Sequence, residues 1–158
     1  MAVDVFLKLG DIKGESADAK HPDEIDVLSW SWGVSQAGTT SSGGVAGAGK
    51  VSFNDLHFTH NVDKASPLLM KACATGQHVK EATLVSRKAG KGQQEYLIVK
   101  MSDVLVTGVQ PSGAGEHPTE SVSMKFAKVD FEYKPQKLDG TLDAGIHFIY
   151  DIKTSKIG

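Results

Sequence analysis

The chain is short of cysteine, of net positive charge and of long apolar runs, and each shortage excludes a class of protein. Cys73 is the single cysteine among 158 residues, so no disulfide closes within the chain, which fits folding in a reducing cytoplasm. Lys and Arg number 17 against 19 Asp and Glu, a formal charge of −2. Nucleic-acid binding ordinarily carries a basic footprint, and Arg87-Lys88 is only a local pair, so no nucleic-acid partner is expected. No stretch reaches the ~18 apolar residues of a membrane span, so no membrane insertion is expected. The start, Met1 to Lys8, lacks the basic residues, apolar run and small-residue cleavage site of a signal peptide. Export would then need a dedicated machine. No GxSxG elbow is present, and no catalytic residue is assigned.

What is present is alternation. Hydrophobic residues make up 40% of the chain, enough to exclude disorder. The length suits one domain spanning residues 1–158. Val3, Val5, Leu7 and Leu9 share one face of a strand, and a polar loop follows from Gly10 to Pro22. In the next strand Leu28, Trp30, Trp32 and Val34 point one way, while Ser29, Ser31 and Gly33 point the other. The apolar phase slips at Val27-Leu28, as at a bulge. Short strands follow at 50–53 and 56–59. Longer ones are expected at 80–88, 95–109, 120–133 and 146–153, separated by Gly- and Pro-containing turns. The strand from Glu120 shifts phase between Phe126 and Val129. Seven or more strands, several long and bent, predict a mainly β fold, a compact closed or near-closed β-barrel.

One short flanking helix is expected at 67–75. Ser66 suits its N-cap, Pro67 its first position and Gly76 its C-terminal stop. Leu69, Ala72 and Cys73 mark its buried side.

Candidate chemistry is sparse. Gly44 to Lys50 has the GxxxxGK spacing of a phosphate-cradling loop. Val51 replaces the required Ser or Thr, however, and the following residues alternate like a strand rather than opening a helix. His57 and His60 lie three apart, which on a strand sends them to opposite faces. No cysteine or carboxylate cluster completes a zinc set, so the six histidines read as surface or loop residues. Cys73 reads as a small core residue. No metal or other cofactor is expected.

Two features remain. The face of Ser29, Ser31 and Gly33 carries neither bulk nor charge. It suits an ordinary solvent face or a wall that lines a channel and touches cargo. Residues 37–49 form a Gly/Ser/Thr/Ala loop with nothing large to bury, and loops of such length are functional or disordered.

Several segments together resemble the haemolysin-coregulated protein (Hcp) family. They are Met1 to Asp4 with Leu9 to Ser16, Glu24 to Gly33, Gly47 to Val51 and Asp63 to Pro67. Arg87 to Gly90, Glu95 to Leu97 and Val129 to Gln136 complete the set. The resemblance implies a tight β-barrel with a flanking helix that forms hexameric rings. Rings stack into the hollow tube of the bacterial type VI secretion system, inside a contractile sheath on a baseplate and under a VgrG-type spike. It further implies that the ring lumen carries effector proteins, and that the chain leaves the cytoplasm through the apparatus without a cleaved signal peptide.

On that basis Ser29, Ser31 and Gly33 are placed on the lumen wall. Gly38, Thr39, Thr40, Ser41, Ser42, Gly43, Gly44, Val45, Ala46, Gly47, Ala48 and Gly49 are placed at a contact with the adjacent subunit or next ring. Gly158 follows closely on the last strand and leaves no room for a fused toxin domain. The alternative function is a small ligand-binding β-barrel, disfavoured because the large aromatics suggest a filled interior.

Overall fold

The computed structural model describes residues 3–37, 39–40, 46–47, 50–88, 90 and 92–158. Alternation forms the strands, as their burial shows: Leu7 and Leu9 of β1 (Val3–Leu9) are wholly buried while Lys8 is exposed. β1 lies between β9 (His78–Lys88) and the two-residue β2 (Ile25–Asp26). Beyond β9 the antiparallel sheet continues through β10 (Glu95–Ser112), β11 (Thr119–Tyr133), β12 (Ile146–Asp151) and β13 (Lys156–Ile157). The start of β11 also pairs with β8 (Leu56–Asn61), which in turn pairs with β3 (Ser29–Ser31).

Among the described residues the fold is mainly β with one short helix, as expected, but the sheet does not close into a barrel. Its order ends openly at β13 and β2, with β8 and β3 branching from β11. Residues 25–31 run between the two flanks. The Val27 N–H donates to Val5 O (2.9 Å), and the Leu28 N–H donates to Thr59 O (2.8 Å). The chain thus passes from β1 to β8 in two adjacent residues, too abruptly for a continuous ladder. The result is a sandwich-like open sheet. The same step corrects the expected tryptophan face. Val27 is buried and Leu28 is 58% exposed, Val34 is 50% exposed, and only Trp30 and Trp32 pack on the core.

The expected slip between Phe126 and Val129 is present and has a partner. On β10, burial moves from Leu97, Val99 and Met101 to Val104 and Val106. On β11 it moves from Val122, Met124 and Phe126 to Val129. The two slips face each other, between the Ser102–Lys128 and Val104–Phe126 pairs, with Asp103 in the left-handed region at φ 54°. Because both strands slip together, their apolar residues stay on one side while the hairpin bends.

Helix α1 (Ser66–Thr75) contacts β10 and buries Leu69 and Ala72, with Cys73 half-buried beside them. Gly76 ends it in the left-handed conformation at φ 66°, as expected. The N-cap is Ala65 rather than Ser66. Ser66 Oγ accepts instead from the Asp63 N–H (3.1 Å), while Asp63 Oδ1 accepts from the Ala65 N–H (2.8 Å).

The core joins Leu7, Leu9, Ile25, Leu56, Leu69, Leu84 and Val99, each wholly buried. Burial of each such side chain contributes about 1.5–3 kcal/mol. A smaller outer cluster forms where residues 10–24 fold over β1. His21 stacks on Phe6 at 4.5 Å between ring centroids, and Arg87 lies 4.8 Å from the Phe6 ring.

Candidate assembly and cargo surface

Four strands present an outer face of small polar side chains. Register aligns Ser29 with Thr59, Thr59 with Ser121 and Ser121 with Gln110 across β3, β8, β11 and β10. The neighbouring row runs Ser31, His57, Ser123 and Gly108. Hydroxyls tie the strands together on this face. Ser29 Oγ and Thr59 Oγ1 are 2.6 Å apart. Thr107 Oγ1 donates to Asp55 Oδ2 (2.8 Å) and lies 2.9 Å from Ser123 Oγ, which supplies the second proton. Neither row contains Asp, Glu, Lys or Arg; Asp55 and Lys125 stand at the border. Between the β3 end and the turn into β8 is a cleft of about 280 Å³, lined by Ser31, Trp32, Asn54, Asp55 and His57.

The face has two bare edges. β9 pairs with β10 only from Glu95 to Leu105, so residues 106–112 have β11 on one side and no ladder on the other among the described residues. β3 likewise has β8 on one side and no further ladder among the described residues. Such edges expose unpaired N–H and C=O groups.

Ser29 and Ser31 therefore lie on an exposed face, within the field just described, while Gly33 is half-buried at its margin. The Gly33 carbonyl accepts from the Asn54 N–H at 2.9 Å. A Cβ at Gly33 would meet Asn54 Nδ2 at 3.1 Å. Thr59, His57, Ser121, Ser123, Thr107 and Gln110 were not singled out from the sequence. The register places them here, and at β10 an irregularity between Val106 and Gly108 brings Thr107 and Gln110, three positions apart, onto one face; no linear reading shows which strands are neighbours.

Beyond Gly33 the chain forms a two-stranded arm. β4 (Val34–Gln36) pairs with β7 (Val51–Phe53), and β5 (Thr39–Thr40) pairs with β6 (Ala46–Gly47). Val34, Ser35, Gln36 and Ser52 are exposed. The candidate contact residues Gly38, Ser41, Ser42, Gly43, Gly44, Val45, Ala48 and Gly49 lie outside the described residues. Lys50 leads directly into β7, so the phosphate-loop reading fails: that motif needs a helix where a strand stands.

The histidines depart from expectation. His57 is exposed and His60 wholly buried, as opposite faces require. His60 and His21 are not surface residues, however, and carboxylates hold both. His60 Nε2 is 2.8 Å from Glu120 Oε1. His21 reaches Glu24 through Nδ1 (3.0 Å) and Glu95 through Nε2 (3.0 Å). Nearby, Arg87 is gripped by Asp18 at two nitrogens. The hydrogen bond from Arg87 is the largest cause that lowers the Asp18 pKa to about 2, and the same bond pushes Arg87 upward. Among the described residues no group of three His, Cys, Asp or Glu could hold a metal. No described helix is long and apolar enough to cross a membrane.

Over residues 6–133 the chain matches the family described as "Type VI secretion system effector, Hcp". It belongs to the Hcp family. Protein hcp1 of Pseudomonas aeruginosa is 52% identical over 148 residues, covering 92% of this chain and 91% of that protein. Hcp1 from Salmonella typhimurium shares the fold at a TM-score of 0.83 and 41% identity, with both chains covered in full. A structure of a type six secretion system protein aligns at a TM-score of 0.92 and 30% identity, covering 99% of this chain and 100% of that one. The chain shares its fold with these proteins, and the function that membership carries is that of a tube subunit in type VI secretion.

Proposed function

We propose that this Hcp chain closes with five copies of itself into a ring whose inner wall is the four-stranded polar face, and that rings stack into the tube. The observation that carries the reading is that face with its two unladdered edges. An exposed strand edge is a template for a further strand. The two edges are different strands, so copies joining through them make a heterologous contact, which generates a ring when its rotation closes. Four strands from each of six copies make roughly 24 strands. At about 4.8 Å between strands they enclose a wall about 37 Å across, before tilt widens it.

Such a wall is neutral, hydrated and smooth. Ser29 and Ser31 face the lumen in this reading, Gly33 lies at its rim, and effector proteins occupy the space. A lone two-stranded hairpin is marginal in water. The β4–β7 pair keeps Val34, Ser35, Gln36 and Ser52 exposed while Phe53 stacks on Trp32 and lies against Tyr150, and in this reading it gains further order against the adjacent subunit or the next ring. The tube carries a VgrG-type spike, runs inside a contractile sheath on a baseplate, and leaves the cytoplasm through that apparatus. Its action is assembly and carriage, without catalysis or cofactor. The whole chain forms one domain.

Native mass measurement over a range of concentrations tests the ring. A sixfold mass is expected, and a chain that stays solitary at high concentration overturns the reading. Ser31→Arg should keep the sixfold mass and lose retention of an effector; loss of the ring itself would remove Ser31 from the lumen. Deleting residues 38–49 should leave the fold intact and weaken ring closure or stacking.

A further inference from the structure

The polar face carries one imidazole, His57. Its surroundings set it apart from most other histidines of the chain. His21, His60, His78 and His147 each lie within salt-bridge distance of at least one carboxylate. His57 has no such partner among the described residues. It is exposed, midway along its strand row, with Ser31 opposite it on β3 and Ser123 opposite it on β11. The charged groups facing it are few. Asp55, from the turn before β8, lines the same cleft and is already engaged by Thr107. On β11, Lys125 stands two residues beyond Ser123. β3 and the facing part of β10 offer only Ser29, Ser31, Thr107, Gly108 and Gln110.

We propose that His57 makes the inner wall proton-responsive, so that acidification converts a neutral hydrogen-bonding surface into a cationic one that binds acidic cargo surfaces. The proposal rests on the ring reading above. Six copies would place six imidazoles at one level of the lumen, around any cargo inside. A neutral imidazole offers one donor and one acceptor, matching the serine and threonine hydroxyls around it. Protonated, it is a cation with two donors, and Asp55, the carboxylate of the same cleft, is engaged by Thr107 and makes no salt bridge to it. A cargo surface rich in Asp and Glu then meets a ring of positive charge. Repetition multiplies the effect, because a cargo that touches several subunits gains from each contact at once.

The test uses the assembled protein and a dye-labelled hexaglutamate peptide as probe, followed by fluorescence anisotropy. Hexalysine serves as the comparison, and light scattering reports ring mass at both pH values. The wild type should bind hexaglutamate about fivefold or more tightly at about pH 5.5 than at about pH 7.5, while hexalysine shows no such gain. His57→Gln should abolish the difference. His57→Lys should bind hexaglutamate tightly at both values. His57→Ser serves as a second neutral replacement if Gln disturbs the ring. Intact rings in which His57→Gln or His57→Ser keeps the wild-type pH dependence overturn the proposal, as does a wild type with none. A chain that is monomeric at both pH values instead brings down the ring reading, and the proposal with it.

Discussion

His60 Nε2 lies 2.8 Å from Glu120 Oε1, the two residues stand directly opposite each other on β8 and β11, and both side chains are wholly buried. His60 Nδ1 reaches toward Asp63 Oδ2 at 3.6 Å, in the turn that leads into α1. The pair thus continues the inward row of Leu56 and Phe58 on one strand and meets that of Val122 and Met124 on the other, with polar groups in place of apolar ones.

A buried pair of this kind is costly to break from one side. His60→Leu leaves the Glu120 carboxylate buried without its partner and should destabilise the subunit by about 3–5 kcal/mol. Replacing both residues, His60→Leu with Glu120→Met, removes the stranded charge and should recover most of that loss. Urea unfolding at matched protein concentration checks both, since assembly shifts apparent stability. A single variant as stable as the double would show that the two residues do not depend on each other.

The second prediction concerns acid. Arg87, buried against Phe6, holds Asp18 through two of its nitrogens, and that hydrogen bond brings the Asp18 pKa down to about 2. A carboxyl depressed in the folded state binds its proton less tightly there than in the unfolded chain. Its contribution is therefore present above the ordinary value of about 3.9 and is lost as pH falls toward the folded one. Thermal melts from about pH 5 to about pH 2 should show a steep loss for the wild type and a flatter one for Asp18→Asn. Equal slopes would mean that Asp18 adds nothing to acid sensitivity.

These two contacts also show where a linear reading ends. Alternation located every long strand, the phase slip at Phe126 to Val129, and the opposite facing of His57 and His60, though not that His60 is the buried one. It could not supply Glu120 as the partner, because the two are 60 positions apart and meet only through the β8–β11 register. For the same reason the polar face was glimpsed at Ser29 and Ser31 but not followed onto Thr59, Ser121 and Gln110. Barrel closure was inferred from the number of strands and from the length and bending of several of them. What decides it is whether residues 25–31 keep one partner, and they change partner between Val27 and Leu28. β5 and β6 escaped notice because Gly, Ala, Ser and Thr give almost no periodic signal. Family motifs reached the function by another route, through the identity of short segments rather than their pairing.

Two glycines should respond unequally to a single methyl group. A Cβ at Gly14 would lie 2.6 Å from the Glu24 carbonyl oxygen and 2.8 Å from Ile25 Cα. Both are backbone atoms, and Gly14 itself donates to Asp23 O at 2.8 Å. Gly14→Ala should push residues 10–24 off the sheet and cost about 1–3 kcal/mol, as overpacking does. At Gly108 the same methyl would meet only Ser123 Oγ, at 2.8 Å. That hydroxyl can rotate to another staggered position, so Gly108→Ala should stay within about 0.5–1.5 kcal/mol of wild type. Denaturant midpoints of the two variants check the ranking, and a Gly108→Ala variant weaker than Gly14→Ala reverses it.

The last prediction follows from a histidine held between two acids on the outer side of the sheet. His147 on β12 places Nδ1 2.8 Å from Asp130 Oδ1 and Nε2 3.2 Å from Glu132 Oε2, both on β11. Only the imidazolium donates from both nitrogens. The Asp130 hydrogen bond is the largest cause raising the His147 pKa, and the charges of Asp130 and Glu132 add to it. Desolvation and Lys100 work against the rise. A raised value means that the folded state holds the proton more tightly than the unfolded chain. The stabilisation is therefore complete below the ordinary value of about 6.5 and disappears as pH rises through the folded one. Because the side chain is 41% exposed, solvent screens the pair and the effect is small. From about pH 6 to about pH 9 the wild-type Tm should fall more than that of His147→Asn. Hydrogen-exchange protection of the β12 amides, with exchange rates corrected for their intrinsic pH dependence, should fall over the same interval in the wild type more than in His147→Asn. Parallel melting curves for the two proteins would show that β12 is held without help from this proton.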